Sequence, residues 1–151
     1  LEIRETHKNG YTISTDKDKL DISCIHKFLS NEADWSKGIP ISTLKTSIEN
    51  SLNFGLYYNN EQIGYARIIS DYSTIAYLGD VFVLEAYRGN GLSKWLMGEI
   101  MEHPNLQNLR RWILLTDTAD WLYKKFGFKQ LPHPELYMEK HNPKVYKAVK
   151  N

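Results

Sequence analysis

A single cysteine, Cys24, stands among 151 residues, so no disulfide can close within the chain. Five histidines, His7, His26, His103, His133 and His141, are scattered without metal-ligand spacing, and no metal is expected. An excess of one charge is also missing. The 19 basic and 18 acidic side chains leave a formal net charge of +1, too little to draw a nucleic-acid backbone or an anionic membrane to the whole molecule. Apolar runs fall far short of the roughly 18 residues that cross a bilayer. The first residues lack the basic-then-apolar plan of a secretory leader, and a cytoplasmic location is expected. No repeat, linker or low-complexity block is visible. What remains is 42% hydrophobic and 25% charged, enough for one core of its own. Residues 1–140 read as a single domain and residues 141–151 as a loosely held basic tail.

Local pattern supplies the elements. Leu1-Glu2-Ile3-Arg4 and Tyr11-Thr12-Ile13-Ser14 flank Asn9-Gly10, a hairpin signal. Asp16 or Asp18 can cap a helix carrying Ile22, Ile25, Phe28 and Leu29 through Ser30, and Leu44, Ile48 and Leu52 mark a second helix. Runs 54–58, 62–70 and 74–84 read as strands whose short links imply antiparallel neighbours. A helix over 91–101 follows, then a strand at 111–115. Ala119, Leu122, Tyr123 and Phe126 make a last helical stripe that Gly127 should end, and 128–130 with 136–139 are expected to form a final pair of strands.

One segment joins an apolar strand to an amphipathic helix through glycines: Asp80-Val81-Phe82-Val83-Leu84-Glu85-Ala86-Tyr87-Arg88-Gly89-Asn90-Gly91-Leu92-Ser93-Lys94-Trp95-Leu96. A helix start offers unpaired N–H groups and the positive dipole end, and glycines let a bulky anion approach the main chain. From two glycines alone a plain strand-to-helix turn is the favoured reading, and neither a Walker loop nor a full dinucleotide fingerprint is present.

Here the sequence resembles the GNAT superfamily of N-acetyltransferases, whose hallmark is Arg or Gln, two residues, Gly, one residue, then Gly or Ala. Arg88 and Gly91 match it, with Ser93 in place of the final small residue. A second family signature is similar to Leu122-Tyr123-Lys124-Lys125-Phe126-Gly127-Phe128, with Ala119 at the usual spacing. The resemblance implies an α/β (mixed α+β) fold: a mostly antiparallel, splayed mixed sheet of six to seven strands flanked by four helices. It further implies acetyl-CoA as cofactor, CoA as product and an amine acceptor. Amides of Arg88, Gly89, Asn90, Gly91, Leu92 and Ser93 would hold the pyrophosphate, and the main chain of Val81, Phe82 and Val83 would pair with the pantetheine arm. An N–H near Val83 would face the oxyanion.

By the same resemblance Tyr123 matches the general acid beside the thioester sulfur; its alternative is a tyrosine packed on a helix face. Asp80 interrupts an apolar run, and alternation places it with Leu78 and Phe82. Partly desolvated there, it is either the base for the amine or a hydrogen-bonded structural group. Weaker acceptor-side candidates are Trp35, Tyr65, Arg67 and Tyr72, with Glu32, Asp34 and Ser36. Cys24 faces the core and reads as an inert thiol rather than a nucleophile. Two other functions stand beside an enzyme: an acyl-CoA sensor that has lost turnover, and a nucleic-acid binder using Lys140, Lys144, Lys147 and Lys150 with Tyr137 and Tyr146. The near-zero net charge and the lack of a recognition motif weigh against the last. Ten tyrosines and four tryptophans leave material for a homodimer interface.

Overall fold

Asn9 and Gly10 both take positive φ, 52° and 84°, which is what a two-residue hairpin turn demands. Lys8 therefore pairs directly with Tyr11. Strand β1 is Glu5–Lys8 and β2 is Tyr11–Ser14. The turn thus pulls β1 four residues later than the Leu1-to-Arg4 run suggested. The computed structural model describes residues 1–147. Lys150 and the rest of the tail beyond Lys147 lie outside the described residues.

Four more strands complete one sheet in the order β1-β2-β3-β4-β5-β6: β3 Leu52–Tyr58, β4 Glu61–Ser70, β5 Ile75–Val83 and β6 Arg111–Leu114. All neighbours are antiparallel except β5 and β6, which are parallel. A parallel pair needs a crossover, and helix α3, Leu92–Met101, supplies it. The other helices are α1 Ile22–Lys27, α2 Ile41–Glu49 and α4 Asp120–Lys124.

The helices cover the two faces of the sheet in pairs. Leu92, Leu96, Met97 and Ile100 of α3, with Leu122 and Tyr123 of α4, pack on Phe54, Leu56, Ala66, Ile68, Leu78 and Val83. On the opposite face Ile25, Phe28 and Leu29 join Leu44 and Ile48 of α2 over Tyr65 and Phe82. Phe28 stacks on Phe82 with ring centroids 4.0 Å apart.

Several boundaries differ from expectation for local reasons. The cap of α1 is Asp21, which accepts from the Cys24 amide, while Asp16 caps a separate 3-10 turn at Lys17–Lys19. The chain leaves α1 through a π-helical turn, Phe28–Glu32. Leu52 belongs to β3, because Asn50 and Ser51 bond back to α2 and end it. Helix α4 is a short one, with Gly127 at φ 91° after it as expected. The final pair of strands does not form: 128–130 and 136–139 find no ladder among the described residues, and Pro132 and Pro134 between them cannot donate to one. Nor is the described part of the basic tail wholly loose, since Tyr146 packs against the α1–α2 cluster.

One irregularity sets up the site. Between the pairs Arg67↔Gly79 and Tyr65↔Phe82, Ala66 of β4 faces both Asp80 and Val81 of β5, and Asp80 takes φ 54°. This β-bulge reverses the alternation. Leu78 consequently packs under α3 and α4, and Phe82 under α1 and α2. Asp80 therefore shares the face of Phe82 but not that of Leu78, contrary to simple alternation. Strand β6 accompanies β5 only from Ile75 to Leu78. Beyond that the two splay, and one edge of β5 from Gly79 to Val83 is unpaired.

Two measurements test this packing. Leu96 is fully buried, so Leu96→Ala should cost about 2–5 kcal/mol in urea unfolding. Burial pushes the phenols of Tyr57 and Tyr65 well above the ordinary tyrosine range. Their protonated forms stabilise the fold fully below the unfolded value of about 10, and that contribution falls as pH rises toward the folded values. Urea midpoints should decline above this pH, less steeply in Tyr57→Phe, which removes a buried hydroxyl that has no partner among the described residues.

Candidate active site

The glycine loop leads into α3 without a side-chain cap. Gly91, at φ 72°, is the cap residue, and Gly89 is at φ 84°. A Cβ built on either meets nothing within 4 Å, so the loop opens to solvent. The first helical bond runs from the Trp95 amide to the Gly91 carbonyl. The amides of residues 89–94 consequently donate to nothing among the described residues. Two side chains brace this loop: Asn90 donates to the Tyr87 carbonyl at 3.0 Å, and Arg88 Nε donates to the Val83 carbonyl at 2.9 Å. Arg88 thus ties the loop to the end of β5, and the sequence motif alone did not assign it that second task.

The free edge of β5 continues the row. The Leu84 amide donates to the Ile63 carbonyl of β4 at 2.8 Å. Strand alternation turns the Val83 and Val81 amides the other way, toward the splay. Tyr123 of α4 is 8% exposed and belongs to the same α3–α4 cluster as Val83. Its ring meets Phe128 edge-on at 6.1 Å. The hydroxyl makes no hydrogen bond among the described residues, and burial raises the phenol above its ordinary value, so it is protonated at neutral pH. Ala119 caps α4 and accepts from the amides of Leu122 and Tyr123, which fixes where Tyr123 starts its turn.

On the α1–α2 face the bulge presents Asp80. Its two carboxylate oxygens are both engaged: Arg67 Nε donates to one at 2.8 Å and Trp35 Nε1 to the other at 3.0 Å. The Arg67 and Asp80 side chains are only 17% and 11% exposed, so this is a largely desolvated ion pair. Arg67 also donates to Ser51 Oγ at 3.1 Å. Trp35 is 60% exposed, so its indole reaches Asp80 from the solvent side and is no core anchor. Two acceptor-side candidates are not brought here. Tyr65 is fully buried and spends its hydroxyl on Asn53. Tyr72 lies at the β4–β5 turn, lining a separate cleft of about 360 Å³ with Ser51, Asn53 and Ser70. Asn53 and Ser51 went unnoticed in the sequence. The available signal was a polar residue inside the apolar run Leu52-Asn53-Phe54, just as Gly79 before Asp80 signalled the bulge.

Cys24 is half-buried on α1, donates to the Gln62 carbonyl at 3.5 Å, and has its thiol pushed up by burial. Among the described residues no cluster of His, Cys, Asp or Glu is arranged to hold a metal, and no helix is long and apolar enough to cross a membrane.

Comparison with known proteins agrees with this geometry. The acetyltransferase (GNAT) domain model matches residues 49–130, from β3 through the loop to just past α4. The ribosomal protein bS18-alanine N-acetyltransferase of Haemophilus influenzae is 32% identical over 112 residues, covering 70% of this chain and 72% of its own. A crystal structure from Xanthomonas campestris pv. campestris, described as belonging to the GNAT family, superposes with TM-score 0.90 at 45% identity, covering 94% of this chain and all of that one. A Clostridium acetobutylicum structure solved with acetyl-CoA shares the fold, with TM-score 0.58 at 16% identity over 87% of this chain and 94% of that one. A free amide row at a helix start, a splayed sheet and these matches have one reading: the chain belongs to the GNAT family of acetyltransferases.

Proposed function

We propose that this chain is an N-acetyltransferase that moves the acetyl group of acetyl-CoA to a primary amine by direct attack while both substrates are bound. The observation that carries it is the pairing of two stretches of unpaired main-chain amides on one connection, the Val81 and Val83 edge of β5 and residues 89–94 at the start of α3, which Arg88 ties together. The loop amides and the dipole of α3 suit a pyrophosphate, and a single exposed strand edge suits an extended amide-bearing arm. Acetyl-CoA, when bound, supplies the thioester carbon that the amine attacks.

The chain's own groups divide the remaining work. Val83 N–H faces the splay and is available to the negative charge that develops on the acetyl oxygen. Tyr123, protonated and without a hydrogen-bond partner among the described residues, gives its proton to the departing sulfur. Asp80 takes the amine proton as the C–N bond forms and the C–S bond breaks. Arg67 and Trp35 hold its carboxylate in place but leave it unused lone pairs. The Arg67 ion pair favours a second reading of the same residue, in which Asp80 only orients the amine and water carries the proton away. The Cys24 thiol lies on α1 with its hydrogen already committed to Gln62, which supports direct attack over an acyl-cysteine route.

Calorimetry with acetyl-CoA is the first test. Wild type should bind and Gly91→Trp should not, while circular dichroism reports both folded; equal binding would remove the loop assignment. Binding without release of CoA thiol to any amine would leave a sensor instead of an enzyme. Tyr123→Phe should lower kcat roughly a hundredfold or more with acetyl-CoA affinity nearly unchanged. Asp80→Asn should abolish the acidic limb of the rate profile if Asp80 is the base, and leave the limb with a higher KM if it only orients.

A further inference from the structure

Helices α1 and α2 cover only part of their face of the sheet. Their cluster reaches Tyr65 and Phe82, and the next row toward the β4–β5 turn is polar, with Asn53, Arg67 and the bare main chain of Gly79 opposite one another. Beyond it Ile69 of β4, Tyr77 of β5 and Ile113 of β6 pair in a second row across three strands. Directly paired residues share a face. Their neighbours Ile68, Leu78 and Leu114 pack under α3 and α4, so this row looks toward the α1–α2 side. It joins neither core: Tyr77 and Ile113 are only part-buried and pack into neither cluster, and Ile69 and Ile75 are 45% and 39% exposed.

The result is an apolar floor that starts at the Arg67–Asp80 ion pair and ends where Arg111, opposite Ile75, lies over Tyr137. Tyr77 joins the floor to the pair. A Cβ on Gly79 would come within 3.0 Å of the Tyr77 ring, so the ring leans over the residue before Asp80. Burial pushes its phenol up, Asp80 adds to the rise and Arg67 opposes it, as a ring standing beside both charges requires. Tyr77 and Ile113 are also the last pair on this face before β5 and β6 part, so the floor runs up to the splay that the Val83 amide faces.

Charge decides what fits. Arg67 and Asp80 are 2.8 Å apart and largely desolvated, so an ammonium drawn to the carboxylate is repelled by the guanidinium beside it. An acceptor with a carboxylate one carbon from its amine removes that repulsion, because each of its charges then meets an opposite one. Arg67 has the donors for it: Nε goes to Asp80 and Nη1 to Ser51, while Nη2 donates to nothing among the described residues. The floor itself carries no acid and Arg111 closes its far end, which suits an uncharged apolar side chain and not a second cation.

We propose that the acceptor is a free apolar α-amino acid, its ammonium on Asp80, its carboxylate on Arg67 and its side chain on Ile69, Tyr77 and Ile113. Resting on the acetyltransferase function proposed above, this names the amine. The ammonium gives up one proton before attack; the C–N bond then forms as the C–S bond breaks, the amine loses its second proton and the sulfur takes one from Tyr123. The products are the N-acetyl amino acid, CoA thiol and a proton.

Calorimetry with CoA present reads the acceptor site without turnover. At about pH 6.5, where all the amines compared are protonated, L-leucine and L-phenylalanine should bind. Leucinamide, isoamylamine, L-alanine and spermidine should each bind at least about tenfold more weakly. Leucinamide or isoamylamine binding as well as leucine would remove the Arg67 contact, alanine or spermidine binding as well would remove the floor, and either result overturns the proposal, as does a failure of both amino acids to bind. Ile69→Glu, at a half-exposed position, should keep its dichroism and cut the preference for leucine over alanine about tenfold; an unchanged ratio also overturns the floor. Thiol release from acetyl-CoA separates the two readings. Amino acid binding without release would keep this site and remove the transferase, while release to other amines alone would keep the transferase and remove this acceptor.

Discussion

Strand β5 has one residue more than β4 can match, and the excess is absorbed at Asp80, in a left-handed conformation that side-chain-bearing residues seldom adopt. Everything functional hangs on that local accommodation. It turns Asp80 toward α1 and α2, where a guanidinium and an indole hold the carboxylate. It sends Phe82 to stack on Phe28 and Val83 under α3. A bulged strand also bends and twists more strongly, and β6 follows β5 no further than Leu78, two residues before the bulge. The unpaired stretch beyond is where the amide row begins.

Arg88 makes the second connection. By donating to the Val83 carbonyl it fixes the glycine loop to the end of the strand edge, so the free amides of the loop and those of β5 are held as one surface. A helix start whose first amides lack internal partners is costly unless water or an anion satisfies them. Here they are exposed and lie next to two glycines with open space in front, an arrangement that favours an anion too large for a pocket.

Much of this was legible in the sequence because it rests on local rules. The glycine positions, the stripe of α3, the stop at Gly127 and the three central strands follow from φ preference and hydrophobic period. The two signatures around Arg88 and Tyr123 pointed to the family that the comparisons then showed. What escaped was non-local. The bulge changes the face of Asp80 by one residue of register, which no alternation count detects. Tyr65 and Trp35 stood side by side as acceptor-side candidates, yet Tyr65 is buried with its hydroxyl on Asn53, while Trp35 is exposed with its indole N–H on the Asp80 carboxylate. The strands expected at 128–130 and 136–139 have suitable composition, yet composition says nothing about whether a partner lies within reach.

Phe82 and Val83 are neighbours in sequence that root in different cores, one shared with α1 and α2 and the other with α3 and α4. The two halves of the molecule are therefore joined through the sheet, by neighbouring residues of β4 and β5, rather than by a common interior. Substitutions among Ile25, Leu29, Leu44 and Ile48 can reshape the α1–α2 wall around Asp80 while the side that carries the glycine loop keeps its packing. A fold divided in this way lets selection change what is acetylated without renegotiating how the acetyl donor is held.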